Sequence, residues 1–287
     1  MNQSRREFIQ SAGFLTAGSL IGLHALGSCK QNVPSSLRDL GFITNIIQNE
    51  LRNNWRITLE KVTQLGYKYI ESDAVYGDSL DEYKLFLKEI GLTPIAGGAS
   101  MAQFLDEKAF ADQIQRAHDL SLKYIVCYWP WMSDALNLTL DEIKEAADRI
   151  NKIGEKCKAE GLSFAWHNHD KEFWPVEDVI PFDWLLSNTD PALSTVEIDL
   201  YWIYKGNDEP IHYFEKYPGR FELVHVKDMD DTPERAFACV GNGIIDFPAI
   251  FEKARLAGMK YLIVEHDGPE HEMECITSGY NYLQSIL

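Results

Sequence analysis

A repeated pattern constrains the fold of this 287-residue chain more than any other feature. An amphipathic helical stretch ends, often at a glycine, and a short apolar run begins two or three residues later. The pattern is seen at Gly66, Gly91, Gly161 and Gly258. Glycine suits these positions because the residue that follows a helix commonly takes a left-handed conformation. Short strands separated by helices predict parallel pairing with right-handed crossovers.

Eight such units favour a closed (β/α)8 barrel, a TIM barrel, over an open doubly wound sheet. No G-x-G-x-x-G motif follows the first predicted strand, so the usual signature of dinucleotide binding is missing. Asp246 followed by Pro248 predicts the start of a late helix. We therefore predict a single α/β domain over residues 38–287. Its eight strands are predicted to end near Ile43, Glu71, Gly97, Cys127, His167, Asp199, Val226 and Glu265.

Residues 1–29 resemble an export signal and are excluded from the fold. Arg5-Arg6 resembles a twin-arginine motif. The apolar run that follows is too short for a comfortable membrane span. It ends in Leu26-Gly27-Ser28-Cys29, which resembles a lipobox, where a cysteine receives a lipid. The sequence therefore predicts a periplasmic protein anchored only by a lipid on Cys29, with residues 30–37 as a tether; a plain secretory signal is the alternative.

Charge and cysteine usage exclude several classes of protein. The formal net charge is −17, and nucleic-acid binding needs clustered lysine and arginine, so a nucleic-acid partner or a nuclease activity is not expected. No C-x-x-C pair is present, which argues against a zinc ribbon or a dithiol redox motif. We predict mostly buried thiols, and a disulfide stays open, for Cys127, Cys157, Cys239 and Cys275.

Metal-competent side chains occur at the ends of the last four predicted strands. Active sites of (β/α)8 barrels lie at this face. One residue from each strand gives His167, Asp199, His225 and Glu265. Alone, each could be a hydrogen-bonded core residue or a helix cap, but four buried charged groups together need a partner. Two imidazoles and two carboxylates suit Mn²⁺, Fe²⁺, Co²⁺ or Zn²⁺ better than Mg²⁺ or Ca²⁺. The sequence therefore predicts one divalent metal ion, with His169 as the rival of His167.

Aromatic side chains are expected at the same mouth. Trp129 and Trp131 follow the fourth predicted strand and Trp202 follows the sixth. Indoles can stack on the C–H faces of a sugar, although packing at the barrel rim explains any single one equally well. Glu71 ends the second predicted strand, and we predict that it also contacts substrate.

Three further residues are candidates for chemistry. Lys227 lies two residues after His225, on the same face of the strand, where it could polarise a carbonyl or stabilise an enolate. Glu172, in the loop after the fifth strand, is a candidate second acid or base, and His169 is its rival.

From about residue 38 to 287 the sequence resembles the xylose-isomerase-like barrel superfamily of sugar phosphate isomerases and epimerases. The resemblance is carried by Glu197–Trp202, His225–Met229, Gly241–Phe247 and Val264–Asp267. Ketose 3-epimerases of this superfamily bind a metal through Glu, Asp, His and Glu from strands five to eight.

The resemblance implies Asp199, His225 and Glu265 as three of these ligands. The fifth-strand position departs from the pattern, because His167 stands in a His-Asn-His run where the epimerases have glutamate. A branch with exported and oxidoreductase-associated members has such a run. The missing glutamate is one of the two acid/base groups in the epimerases, so a two-carboxylate mechanism does not carry over.

Our leading hypothesis is metal-assisted proton abstraction next to a sugar carbonyl, through an enediolate, which leads to isomerisation or epimerisation. Glu265 or Glu172 would move the proton. A lyase or hydratase acting on 3-keto-glycosides by β-elimination would use the same enolate and the same metal site. A non-catalytic sugar-binding lipoprotein is the third hypothesis, and it alone would tolerate loss of the metal ligands.

Overall fold

A closed barrel of eight parallel strands forms the centre of the computed structural model, which describes residues 33–72, 74–133 and 138–287. The predicted export signal, including Cys29, lies outside these residues. The barrel strands are β1 (Gly41–Ile43), β2 (Tyr69–Glu71), β3 (Thr93–Ser100), β4 (Tyr124–Trp129), β5 (Ser163–His167), β6 (Ser194–Asp199), β7 (Leu223–Val226) and β10 (Tyr261–Val264). Strands β1 and β10 pair in parallel and close the barrel. The predicted TIM barrel fold is confirmed.

Most strand ends agree with the sequence-based positions. Strands β3 and β4 extend beyond the predicted Gly97 and Cys127. Although β10 ends at Val264, the backbone N–H of Glu265 still donates to the Val226 carbonyl at 3.1 Å. An antiparallel hairpin of β8 (Asp228–Met229) and β9 (Phe237–Ala238) was not predicted.

Helices connect the strands and cover the barrel. They are α1 (Gln48–Leu65), α2 (Leu80–Ile90), α3 (Met101–Leu105), α4 (Glu107–Leu120), α5 (Leu140–Ala159), α6 (Pro181–Asn188), α7 (Leu200–Lys205), α8 (Pro210–Lys216), α9 (Phe247–Phe251), α10 (Ala254–Ala257) and α11 (Glu272–Ile286). Short 3-10 helices cover Ser35–Arg38, Thr44–Ile47 and Lys171–Phe173. Among the described residues, no helix combines the length and apolar character needed to cross a membrane.

Local signals explain where the helices begin and end. Asp246 accepts a hydrogen bond from the Ala249 N–H at the start of α9, as predicted. Gly91 and Gly258 take left-handed conformations after α2 and α10. Ser121 takes the same conformation after α4, so glycine is not obligatory at these ends. The folded region begins slightly before the predicted boundary at residue 38, since Leu37 is already buried.

Tyrosines and apolar side chains fill the amino-terminal half of the barrel interior. The rings of Tyr69 and Tyr124 pack against Tyr261 with centroid distances of 5.0 and 5.9 Å. Lys123 Nζ donates to the Tyr261 hydroxyl at 2.8 Å, and the Tyr124 hydroxyl donates to Glu222 at 2.6 Å. We call this layer the tyrosine floor. Because inward positions recur every second residue, the inward side chains further along these strands include Glu71, two residues after Tyr69, and Glu265, four residues after Tyr261.

The four cysteines in the described part of the chain form two pairs, one reduced and one oxidised. Cys127 and Cys157 are buried free thiols, as predicted. Cys239 and Cys275 instead form a disulfide with a Cα–Cα distance of 5.1 Å. This bond links the loop after β9 to α11, a contact between segments 36 residues apart that the spacing alone did not reveal.

Candidate metal centre

The carboxyl ends of β5, β6, β7 and β10 bring four predicted ligands together. His167, Asp199, His225 and Glu265 are all at least nine-tenths buried. Ligand atoms of His167, Asp199 and His225 lie within 4.8 Å of one another. Glu265 Oε2 lies 2.5 Å from His225 Nδ1. The structure therefore assembles the predicted set in one cluster at the barrel mouth.

Unsatisfied polar atoms mark the centre of this cluster. Among the described residues, four buried atoms make no hydrogen bond of acceptable geometry: His167 Nδ1, Asp199 Oδ2, His225 Nδ1 and Glu265 Oε2. Two of them, His225 Nδ1 and Glu265 Oε2, lie 2.5 Å from each other, and His167 Nδ1 lies 3.2 Å from Glu197. Leaving one such group unpaired costs roughly 1–3 kcal/mol. Convergence of several lone-pair atoms without donors is what a cation site requires, so this donor set fits a divalent metal ion.

Two glutamates lie beneath the imidazoles. Glu71 Oε2 is 3.0 Å from His225 Nε2, and the Glu197 carboxylate is 3.4 Å from that nitrogen and 3.2 Å from His167 Nδ1. Carboxylates behind metal-binding histidines fix the tautomer and orientation of the ring. Glu71, Glu197 and His225 are themselves close enough to share a cation. However, the Tyr128 hydroxyl already donates to Glu71 at 2.5 Å, which favours a supporting role.

Glu71, predicted as a substrate contact, is fully buried in this inner layer and lies 3.0 Å from His225. Its contact with a substrate stays a prediction. Glu197, which was not among the predicted site residues, occupies the same inner layer. Its signal was available in the sequence, because it lies two residues before Asp199 and so faces the same side of β6.

Lys227 places a positive charge beside the cluster. The residue is fully buried, with Nζ at 3.3 Å from Glu265, 3.8 Å from Asp199 and 2.5 Å from Asp267. Burial alone would lower the pKa of this ammonium, but the three carboxylates raise it above its usual value. Lys227 therefore stays charged and offers N–H donors at the edge of the candidate metal centre.

Burial dominates the electrostatics of the other groups. It raises the pKa of Asp199 to about 8 and holds the pKa of His167 well below its usual value. For His225, burial is outweighed by Glu197, Glu265 and Glu71, which raise the imidazole pKa well above normal. A crowded set of buried acids needs compensating positive charge. A bound divalent cation would supply it and would lower the pKa of Asp199 and of both imidazoles.

An aromatic wall borders the mouth. The half-buried ring of His169 lies between Trp129 and Trp202, with centroid distances of 5.0 and 5.4 Å. Burial lowers the pKa of His169 to about 4, so its imidazole is neutral near pH 7. Phe237, from the β8–β9 hairpin, lies against Trp202 and places its ring 4.5 Å from Lys227 Nζ. The wall offers flat apolar surfaces and one neutral imidazole to a ligand.

Two other predicted site residues lie in the core. Trp131 is buried, and its indole N–H donates to Glu172 Oε1 at 2.7 Å. The other carboxylate oxygen of Glu172 accepts the backbone N–H of His169 at 3.0 Å. Burial raises the pKa of Glu172 to about 7. The Glu172 carboxylate thus joins Trp131 to the backbone of His169 and supports the position of that residue. The sugar contact of Trp131 and the acid/base role of Glu172 stay predictions.

A family model described as the xylose isomerase-like TIM barrel matches residues 59–285. The chain belongs to this family. Inosose dehydratase of Clostridium beijerinckii is 29% identical over 128 residues, which cover 39% of this chain and 42% of that protein. The chain thus matches less than half the length of this curated relative.

Solved structures of similar proteins share the fold. A sugar phosphate isomerase/epimerase from Parabacteroides distasonis has a TM-score of 0.73 and 24% identity, covering 86% of this chain and 93% of that one. The IOLI protein with a binding zinc atom has a TM-score of 0.68 and 18% identity, covering 86% and 97%. At these identities the likeness shows the fold alone.

This xylose isomerase-like barrel carries residues at its mouth that the sequence analysis did not select. Asn45 Nδ2 donates to Glu265 at 3.1 Å and to Asp267 at 3.2 Å. Asp267, in the loop after β10, forms an ion pair with Lys227. The run Glu265-His266-Asp267 placed Asp267 on the same face as Glu265 by strand alternation, whereas nothing local indicated Asn45 or Phe237.

Proposed function

We propose that this protein is a metal-dependent enzyme that removes a proton next to the carbonyl of a sugar or keto-sugar, leading to isomerisation or epimerisation. The observation that carries the proposal is the juxtaposition of Lys227 and Glu265, 3.3 Å apart, with the candidate metal centre. Such a cluster joins a base, a cation and a set of metal ligands in one buried space. Relatives named as a dehydratase and as an isomerase/epimerase support an enzyme acting on small sugar-like molecules.

His167, Asp199, His225 and Glu265 would hold one divalent cation: Mn²⁺, Fe²⁺, Co²⁺ or Zn²⁺. A cation held there supplies Lewis-acid stabilisation to a carbonyl oxygen that gains negative charge. The supporting carboxylates Glu71 and Glu197 keep both imidazoles in place from below.

Side chains of the protein would supply the base, a hydrogen-bond donor to the developing negative charge, and a contact to the sugar. Burial alone would raise the pKa of Glu265, but Lys227 and His225 outweigh this effect and hold the pKa well below its usual value, so the carboxylate is ionised. An ionised carboxylate is the form that can accept a proton from carbon. The Lys227 ammonium donates to the substrate oxygen that becomes negative, in a space that excludes bulk water. His169, neutral and flanked by Trp129 and Trp202, binds a hydroxyl group of the sugar.

A β-elimination on a 3-keto-glycoside or a keto-inositol is the second candidate. It begins with the same proton abstraction by Glu265, and it then expels the oxygen on the next carbon. The similarity to an inosose dehydratase favours this candidate. A sugar-binding protein without activity is the third candidate.

Hydrogen–deuterium exchange at carbon tests the proposal. Protein loaded with Mn²⁺ or Zn²⁺ is incubated in D₂O with aldoses, ketoses and 3-keto-glycosides, and the products are analysed by NMR and mass spectrometry. We expect deuterium at the carbon next to the carbonyl, and no exchange with Glu265→Gln when metal is still bound. Epimers, isomers or unsaturated products then identify the reaction. Binding of these sugars without any exchange would leave only the sugar-binding candidate.

We also propose that the protein is exported and held at the periplasmic side of a membrane by a lipid on Cys29. Arg5-Arg6 and the lipobox-like run ending at Cys29 support this proposal. The wild type should sediment with membranes, and Cys29→Ser should move it to the soluble periplasmic fraction. Cys157→Ser, a change at a buried free thiol, should stay with the membranes. Wild-type protein found soluble in the cytoplasm would contradict export.

A further inference from the structure

A second group of metal-competent side chains lies behind the barrel mouth. Ligand atoms of Cys239, Cys275 and His266 lie within 4.8 Å of one another. His266 and Cys275 are both at least nine-tenths buried. His266 Nδ1 is shielded from solvent and has no hydrogen-bond partner in the structure. We call these three residues the thiol–imidazole cluster.

The cluster opens into a cavity of about 570 Å³. Cys239 is half-buried, so a reductant can reach the disulfide from this side. Tetrahedral zinc with bonds of about 2.3 Å to sulfur places two thiolates about 3.8 Å apart. After reduction, a small shift of Cys239 on its loop would provide that separation, and the cavity leaves room for a water molecule as a fourth ligand.

We propose that reduction of the Cys239–Cys275 disulfide turns the thiol–imidazole cluster into a second metal site that binds Zn²⁺. A phosphine or dithiol reductant supplies two electrons, and two protons from water convert the disulfide to two thiols. Binding of Zn²⁺ to the thiolates and to His266 then releases both protons. Two sulfurs and one imidazole suit zinc, whereas the barrel-mouth centre contains no sulfur ligand. The two sulfurs cannot form the disulfide and bind zinc at the same time, so zinc binds only when the two cysteines are reduced.

Zinc titration of reduced and oxidised protein tests this proposal. The full chain carrying Asp199→Asn, which disables the barrel-mouth centre, is stripped of metal and divided. One half is reduced with tris(carboxyethyl)phosphine without oxygen, and bound zinc is measured after gel filtration. We expect one more equivalent of zinc per chain in the reduced half. With Co²⁺, only the reduced protein should show thiolate-to-cobalt charge-transfer absorption.

Variants separate the cluster from other thiols. Reduced Cys239→Ser should lose the additional equivalent, whereas reduced Cys157→Ser should keep it. Because all samples lack the disulfide, circular dichroism can compare their folding directly. His266→Gln, which spares both sulfurs, should weaken zinc binding by at least about tenfold. Loss of a residue that only hydrogen-bonds to a metal ligand already costs about that much affinity, and loss of the ligand itself should cost no less. Equal zinc content in the reduced and oxidised protein, or an undiminished equivalent in Cys239→Ser, would overturn the proposal whatever the reaction at the barrel mouth.

Discussion

Replacing Asp199 by asparagine should lower the bound metal from one equivalent per chain to almost none while the barrel stays folded. Asp199 Oδ1 accepts the backbone N–H of Trp202 at 3.0 Å and caps α7, and the asparagine oxygen can keep that bond. Oδ2 accepts no hydrogen bond from the described residues and lies 3.9 Å from His167 Nε2. The substitution replaces it with an N–H₂ group that cannot bind a cation. Turnover should fall by at least about 10³-fold, because metal ions supply several kcal/mol of transition-state stabilisation.

Elemental analysis, turnover and thermal unfolding together check this expectation. Asp246→Asn is a matched control, because Asp246 also caps a helix, α9, through a backbone N–H. It should retain metal and turnover. Full metal occupancy in Asp199→Asn would remove this residue from the ligand set.

Lys227→Met should lower turnover by roughly 10²–10³-fold, comparable to the loss of one preorganised donor to a developing negative charge. Methionine keeps much of the apolar stem, which lies against the rings of Trp202 and Phe237. Loss of the ammonium leaves Glu265 and Asp267 with less positive charge nearby, so a divalent cation should bind at least as tightly as before. The expected signature is a fall in turnover with metal retained, the opposite of the signature of Asp199→Asn.

The matched control for this substitution lies at the other end of the barrel. Lys123 also donates to a partner inside the barrel, the Tyr261 hydroxyl, but it belongs to the tyrosine floor. Lys123→Met should therefore leave turnover unchanged. A Lys227→Met enzyme with turnover close to that of the wild type would exclude Lys227 from the chemistry.

Local patterns predicted the barrel and the residues of its candidate metal centre. Strand ends follow from short apolar runs and helix stops, and the ligands lie at strand ends, where the direction of each side chain is set by alternation. For that reason His167, Asp199 and His225 could be selected without knowing the tertiary structure.

Contacts made by closure of the barrel could not be predicted in this way. Glu71 contacts His225 across 154 positions of sequence, and its height in the barrel depends on the short β2 strand. The contacts that join Trp131, Glu172 and His169 depend on how the loops after β4 and β5 pack together. The Cys239–Cys275 disulfide likewise depends on how a loop lies against α11.

The tyrosine floor has a consequence for kinetics. Because Tyr69, Tyr124 and Tyr261 fill the amino-terminal half of the barrel among the described residues, we expect an ion or a substrate to reach the candidate metal centre from the opposite end, past Trp129 and Trp202. If an ion and a sugar share that path, a bound sugar should slow the departure of the ion. Retention of the ion during turnover would then depend on the rate of exchange through the mouth as well as on equilibrium affinity.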